Sequence, residues 1–175
     1  ERTPAPTIEF RHVTFSYNAN IPVLRDVSLT IPEKGLTAFV GPSGSGKTTL
    51  TRLIARFWDV DKGEILLGGQ NIKDYTVHTL MQQISIVFQD VYLFNDTIYN
   101  NIRVGRETAT REEIEAAARK ARCHDFITAM PGGYGTMVGE GGNTLSGGEK
   151  QRISIARAIL KDAPIVLLDE ATASL

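Results

Sequence analysis

The chain has 175 residues, of which 42% are hydrophobic and 22% are charged, a composition typical of one globular domain with a buried core. Its net charge of −1 argues against a nucleic-acid partner. The single cysteine, Cys123, excludes an internal disulfide framework, and we interpret it as an ordinary helix residue rather than a catalytic thiol.

The first third of the chain is predicted to form short strands. Residues 1–6 contain two prolines and are interpreted as a linker, with a processed terminus as the alternative. Apolar residues at positions 8 and 10 and at positions 13 and 15 have opposite parity, which predicts a β-bulge near Arg11 and His12. Alternating apolar residues over 27–31 predict a second strand, and residues 63–67 predict a third strand before a glycine turn.

A strand, a glycine-rich loop and a helix are predicted in the middle of this region. The short, mostly apolar segment 36–40 is typical of a strand and leads into Gly41–Gly46. Apolar residues then recur at helical spacing, at Leu50, Leu53, Ile54 and Phe57.

The second half of the chain is predicted to be mainly helical. Thr110 with Glu113 forms a capping box ahead of an apolar stripe, and Ser146 with Glu149 forms another. Residues 165–168 are all aliphatic, as in a strand that is buried on both faces of a parallel sheet.

Gly41–Thr48 has the spacing of a Walker A phosphate-binding loop. Its glycines allow backbone N–H groups to turn inward around an anion, and the following helix adds the positive end of its dipole. We expect Lys47 to contact the β- and γ-phosphates and Thr48 to bind Mg²⁺. The predicted phosphate-binding residues are Gly41, Pro42, Ser43, Gly44, Ser45, Gly46, Lys47, Thr48 and Thr49.

Asp169 and Glu170 directly follow the aliphatic segment 165–168. Ligands of open α/β sheets bind at the carboxyl ends of the strands, so these carboxylates are placed for catalysis. We expect Asp169 to hold Mg²⁺ through its water shell and Glu170 to accept a proton from the attacking water. A solvated turn also ends in such residues, but the phosphate loop favours the Walker B interpretation.

Two glycines, Gly147 and Gly148, follow Ser146 in the first turn of a predicted helix. Each glycine costs about 1 kcal/mol relative to alanine, which indicates backbone that another molecule approaches closely. Because a helix N-terminus attracts anions, this turn is a second candidate phosphate site.

With these motifs, the whole chain resembles the nucleotide-binding domains of ABC transporters, with Glu149 in the signature segment where glutamine is more usual. The resemblance implies that Tyr17 stacks on adenine and that Gln89 contacts Mg²⁺ and the γ-phosphate. Residues 171–175 match the start of the D-loop. The implied catalytic residues are Glu170, Lys47 and Gln89, and the implied Mg²⁺ ligands are Thr48, Gln89 and Asp169.

The resemblance also implies an assembly. Two nucleotide-binding domains, identical or different, are expected to sandwich two ATP molecules head to tail. The residues expected to reach the partner's nucleotide are Ser146, Gly147 and Gly148. Gln89–Asn101 and Glu140 look like exporter-type segments, and they are expected to contact the coupling helices of a transmembrane domain at the cytoplasmic face of the inner membrane.

The implied fold is an α/β P-loop NTPase with a mostly parallel core sheet, an N-terminal antiparallel β subdomain and an inserted α-helical subdomain. Within the single domain 1–175, the expected divisions are a linker at 1–6, the β subdomain with the Walker A core at 7–95, the helical subdomain with the signature at 96–160, and the Walker B strand with the start of the D-loop at 161–175.

Two alternatives stay open, a non-transport ABC ATPase of DNA maintenance or translation, and a nucleotide-binding fragment without turnover. Leu145 lies only 98 positions after Lys47 without sustained heptads, unlike the chromosome-maintenance class. None of the three histidines matches the family's switch histidine, which follows the D-loop. We therefore expect a piece of a longer protein, with a gap in its core sheet and weak hydrolysis when isolated.

Overall fold

The computed structural model describes residues 6–18 and 21–169. The strands are β1 (Ile8–Phe15), β2 (Leu24–Ile31), β3 (Lys62–Leu67), β4 (Gln70–Asn71), β5 (Ile84–Val87) and β6 (Ile165–Leu168). The helices are α1 (Lys47–Ile54), α2 (Val77–Gln83), α3 (Ile98–Arg103), α4 (Arg111–Lys120), α5 (His124–Ala129) and α6 (Gly147–Lys161). None of the helices in the described ranges is long and apolar enough to cross a membrane. The chain divides into two compact units, Glu1–Ile84 and Ser85–Leu175.

The first unit contains an antiparallel sheet with the strand order β2-β1-β3-β4. The predicted bulge in β1 is confirmed, because the pairing with β2 shifts register between Phe10 and Val13, and His12 has a φ of 50°. The extra residue turns both Phe10 and Val13 inward, although their spacing is odd. A Cβ atom at Gly63 of β3 would lie 2.3 Å from the carbonyl oxygen of Arg11, so this close approach requires glycine.

Helix α1 ends in a Schellman motif that has arginine where glycine is usual. Arg56 adopts a left-handed backbone with a φ of 55°, and the N–H of Phe57 donates to the carbonyl of Arg52. The Arg56 guanidinium compensates for this strain by donating to the carbonyls of Ile72 and Tyr75, at 3.3 and 3.0 Å. These contacts fix the direction in which the chain leaves α1.

The strand predicted at 36–40 is absent from the structure. Leu36 is 92% exposed and Val40 is 90% exposed, and neither described sheet includes this segment. An extended segment becomes a strand only when a neighbour accepts and donates its backbone hydrogen bonds. The prediction from apolar pattern was therefore wrong, because no described strand supplies that pairing.

The second unit contains the strand pair β5–β6. Ile165 and Leu167 of β6 are buried, whereas Val166 is 53% exposed and Leu168 is 49% exposed. The prediction that this strand is buried on both faces was therefore wrong for the part of the chain that the structure describes. An all-aliphatic run does not show which of its two faces another element covers.

Helices α3–α6 pack around one apolar core in this unit. The predicted capping boxes of α4 and α6 are both confirmed. The backbone N–H groups of Thr110 and Ser146 each lie 2.8 Å from the carboxylate three residues later. The predicted apolar stripe of α4, from Ile114 to Ala121, is buried in the core.

A half-buried arginine joins α6 to the segment before α3. The Arg157 guanidinium donates to the backbone oxygen and side-chain Oδ1 of Asn101, both at 2.6 Å, and to the carbonyl of Tyr92 at 2.8 Å. It also lies 5.6 Å from the ring centroid of Phe94. Burial lowers the pKa of Arg157 to about 10, so the group stays cationic at neutral pH. Asn101 is itself buried and donates to the carbonyl of Phe94.

Replacing this guanidinium tests the network. Arg157→Met keeps an apolar stem but leaves the carbonyl of Tyr92 and the Oδ1 of Asn101 without their charged donor, so we expect the free energy of unfolding to fall by about 2–4 kcal/mol. Arg111→Met on α4, which loses only an exposed ion pair to Glu115, should change it by less than about 1 kcal/mol. Equal urea midpoints for the two variants would contradict this role for Arg157.

The thiol of Cys123 is fully buried and donates to the carbonyl of Ala118 at 3.4 Å. Burial raises its pKa to about 12. Since only the thiolate reacts, we expect alkylation by iodoacetamide at pH 8 to be at least about 100-fold slower in the folded protein than in urea. Mass spectrometry of timed samples measures this ratio, and rapid labelling of the folded protein would show that the thiol is accessible.

Candidate functional site

The loop predicted to bind phosphate precedes α1 and exposes Gly41–Ser45 to solvent. The N–H of Ser45 donates to the carbonyl of Pro42 at 3.2 Å, which folds the loop into a turn. Gly46 has a φ of 92°, and a Cβ atom there would lie 2.8 Å from the Leu24 side chain. The loop therefore requires glycine at position 46.

The N-terminus of α1 has no side-chain cap, since its N-cap residue is Gly46, and no acidic residue lies in its first turn. In contrast, the N-cap side chains of α2, α3, α4 and α6 accept a backbone N–H in each helix, and these residues are Thr76, Thr97, Thr110 and Ser146. Lys47 adds a cation, and its Nζ donates to the carbonyls of Gly41 and Pro42 at 2.9 Å each. Backbone N–H groups, the helix dipole and an ammonium group thus converge on a site suited to a phosphate chain.

An aromatic surface lies beside the first turn of α1. The Tyr17 hydroxyl is 3.2 Å from Oγ1 of Thr49, and the Tyr17 ring contacts Phe15 and Trp58 edge to face, with centroid distances of 4.9 and 5.2 Å. Tyr17 stays 41% exposed, so it can stack on a planar base. Trp58 did not emerge from the sequence, where an aromatic residue after a helix has no distinguishing spacing.

Gln89 and Asp169 follow the two strands of the second unit. Gln89 is exposed two residues after β5, and Asp169 follows β6, with its N–H donating to the carbonyl of Val87 at 3.0 Å. The two residues therefore lie at the same end of the strand pair. Amide and carboxylate oxygens of this kind are ligands that Mg²⁺ prefers. Glu170 lies outside the described residues.

The signature turn at the start of α6 is exposed at Ser146 and Gly147. The Glu149 carboxylate accepts from both the N–H and the hydroxyl of Ser146, at 2.8 Å each. Among the residues that the structure describes, a Cβ atom at Gly147 would meet nothing within 4 Å, so packing against them does not explain the glycine. Space is thus available above the helix N-terminus for another molecule.

The two segments predicted to face a membrane domain lie side by side. The carbonyls of Leu93 and Asp96 accept from the N–H groups of Gly141 and Val138, at 3.1 and 3.0 Å. Three large apolar side chains are exposed along these segments, those of Tyr92, Phe94 and Met137. We call these three residues the apolar patch. Glu140 is exposed beside them.

Comparison with known proteins identifies the family to which the chain belongs. Residues 24–173 match the ABC transporter family. An ATP-dependent lipid A-core flippase of Syntrophus aciditrophicus (strain SB) is 55% identical over 168 residues, covering 96% of this chain and 28% of the flippase. The flippase of Escherichia coli (strain K12) is 52% identical over 170 residues, covering 96% of this chain and 29% of that protein.

The structure of a bacterial Atm1-family ABC exporter with ATP bound matches with a TM-score of 0.95 and 47% identity, over 98% of this chain and 30% of that chain. The chain therefore spans less than a third of the length of each of these relatives. The predicted α/β P-loop NTPase fold is confirmed by this likeness. The family match covers most of the sequence, and so the chain belongs to the ABC transporter family, whose ATP-binding, ATPase domain it forms.

Proposed function

We propose that this domain binds and hydrolyses MgATP as the ATPase part of a membrane exporter. The observation that carries the proposal is the N-terminus of α1, where an uncapped helix, a glycine loop and Lys47 converge. The relatives' names, an ATP-dependent flippase and an exporter with ATP bound, support the same function.

Each part of the nucleotide has a proposed partner. Adenine stacks on Tyr17, and the phosphates contact Gly41–Thr49. Lys47 exchanges its two loop carbonyls for the β- and γ-phosphate oxygens. Thr48, Gln89 and Asp169 hold Mg²⁺, which neutralises charge on these phosphates when it is bound.

Hydrolysis is proposed to use Glu170 as the base. Glu170 accepts a proton from a water molecule whose oxygen bonds to the γ-phosphorus, while the bond to the ADP oxygen breaks and ADP and phosphate are released. Gln89 orients that water. The signature turn of a second domain, with Ser146, Gly147 and Gly148, contacts the γ-phosphate from the other side, which the open space above Gly147 supports.

The apolar patch is the proposed contact with the coupling helices of a transmembrane domain. Tyr92 and Phe94 pack edge to face at 5.7 Å, and Arg157 and Asn101 fix the backbone that presents them. Such a rigid aromatic surface suits docking of an apolar helix end. The proposed location is accordingly the cytoplasmic face of the inner membrane, in a dimer of identical or different domains.

Phosphate release by the full-length protein tests the proposal. Glu170→Gln should lower kcat by about 10²–10⁴-fold without weakening ATP binding, because it removes only the proton acceptor. Lys47→Ala should weaken binding as well. If Glu170→Gln leaves the rate unchanged, Glu170 is not the base. If the wild-type protein binds ATP but releases no phosphate, the domain is a nucleotide-binding module without turnover.

The signature turn contains a carboxylate, that of Glu149, close to where the γ-phosphate is proposed to bind. Glu149 pairs with no cation among the described residues, so its charge opposes an approaching phosphate. Glu149→Gln keeps an acceptor for Ser146, and we expect it to lower the ATP concentration at half-maximal hydrolysis about two- to fivefold.

Glu113→Gln is the matched control, because Thr110 and Glu113 cap α4 with the same two backbone hydrogen bonds, at 2.8 and 3.3 Å. Both variants remove a negative charge that favours the N-terminus of its helix, and Glu113→Gln also removes the ion pair to Arg106. Only Glu149→Gln should change the ATP dependence. The same shift in both variants would refute an electrostatic effect at the signature turn.

A further inference from the structure

Tyr17 is held at three points, all within the first unit. Its hydroxyl lies 3.2 Å from Oγ1 of Thr49, and its ring has perpendicular contacts with Phe15 on one strand and with Trp58 after α1. Phe15 is fully buried and belongs to the core. Trp58 is different, since it is 42% exposed beside an equally exposed Tyr17.

The position of Trp58 depends on the strained end of α1. Arg56 has a left-handed backbone that residues other than glycine rarely adopt. Its guanidinium donates hydrogen bonds to the carbonyls of Ile72 and Tyr75. Strain of this kind persists where the surrounding structure enforces it, commonly near functional sites. Here it directs the chain so that Trp58 reaches the Tyr17 ring.

Tyr17 is held by residues at both ends of α1. The helix starts at the phosphate loop and has Thr49 in its first turn. Trp58 lies four residues after the helix ends at Ile54. Tyr17 bridges the two ends by contacting both Thr49 and Trp58. The aromatic surface and the phosphate loop are therefore positioned by the same helix.

We propose that Trp58 is a positioning residue for nucleotide binding, which holds the Tyr17 ring in the orientation that stacks on the base. The inference rests on the proposed function, in which Tyr17 contacts adenine. A perpendicular ring contact restricts rotation of the tyrosine side chain, so less conformational entropy is lost when the base binds. The effect belongs to binding and not to the chemical step, because Trp58 contacts no group proposed to react.

The test compares Trp58→Ala with Trp58→Phe in the full-length protein. Trp58→Ala should raise the KM for ATP, and the dissociation constant measured by displacement of a fluorescent ATP analogue, by about two- to twelvefold. Its kcat should stay within about twofold of wild type. Trp58→Phe keeps an aromatic edge and should restore most of the affinity. Val77→Ala, which truncates an exposed apolar side chain on α2, is the control and should change neither constant.

A double-mutant cycle shows whether Trp58 acts through Tyr17. In a Tyr17→Ala background, Trp58→Ala should have no further effect on ATP affinity. The proposal would be overturned if Trp58→Ala lowered the affinity for ATP equally with and without Tyr17→Ala. It would also be overturned if Tyr17→Ala weakened ATP binding while Trp58→Ala left the affinity unchanged. If instead wild type and Lys47→Ala bind ATP equally, the proposed function itself fails.

Fluorescence gives an independent readout, because Trp58 is the only tryptophan in the chain. The emission of wild type minus that of Trp58→Phe isolates its signal in a longer protein. Saturating ATP should change this difference spectrum when Tyr17 is present and leave it unchanged when both proteins of the pair also have Tyr17→Ala. A difference spectrum that never responds to ATP would contradict the proposed coupling between the two rings.

Discussion

Backbone N–H groups at the start of a helix have no partner within the helix, and the proposed nucleotide site depends on this constraint. The chain satisfies it with a threonine or serine side chain at four of its helices. At α1 the N-cap is Gly46, which has no side chain, and Lys47 adds positive charge. The first N–H groups of α1 therefore have no side-chain acceptor at the N-cap, and the oxygens of a polyphosphate can accept from them. At α6, by contrast, the Glu149 carboxylate already accepts from the N–H of Ser146. The two helix ends that are proposed to face phosphate are therefore chemically unequal.

Local rules predicted much of the fold and of the site. The parity change around Arg11 and His12 predicted the bulge, and the spacing of Thr110 and Glu113 predicted a cap, because both features depend on neighbouring residues only. Residues 36–40 and β6 were misjudged because pairing and burial depend on which elements lie alongside. The site roles carried over from the family resemblance, such as those of Gln89 and Glu170, stay predictions.

Other contacts of the fold had no sequence signal. Asn101 and Arg157 are 56 residues apart, and polar residues in helices usually face solvent, yet here they form a linked network. That network joins the helix carrying the signature turn to the segment carrying the apolar patch. In the proposed function, this network would link the turn that contacts nucleotide to the surface that contacts a transmembrane domain, and packed side chains and hydrogen bonds of this kind can carry coupling between two sites.

The burial of Cys123 has a practical consequence for spectroscopy. With its only cysteine shielded in the core, this chain is already suited to site-specific attachment of a probe. Glu140 is exposed next to the apolar patch and lies in a short turn, so a cysteine introduced there would carry a spin label or fluorophore at a solvent-facing position. In the proposed dimer, distances between two such labels would report domain separation, and Cys123 would not compete for the label.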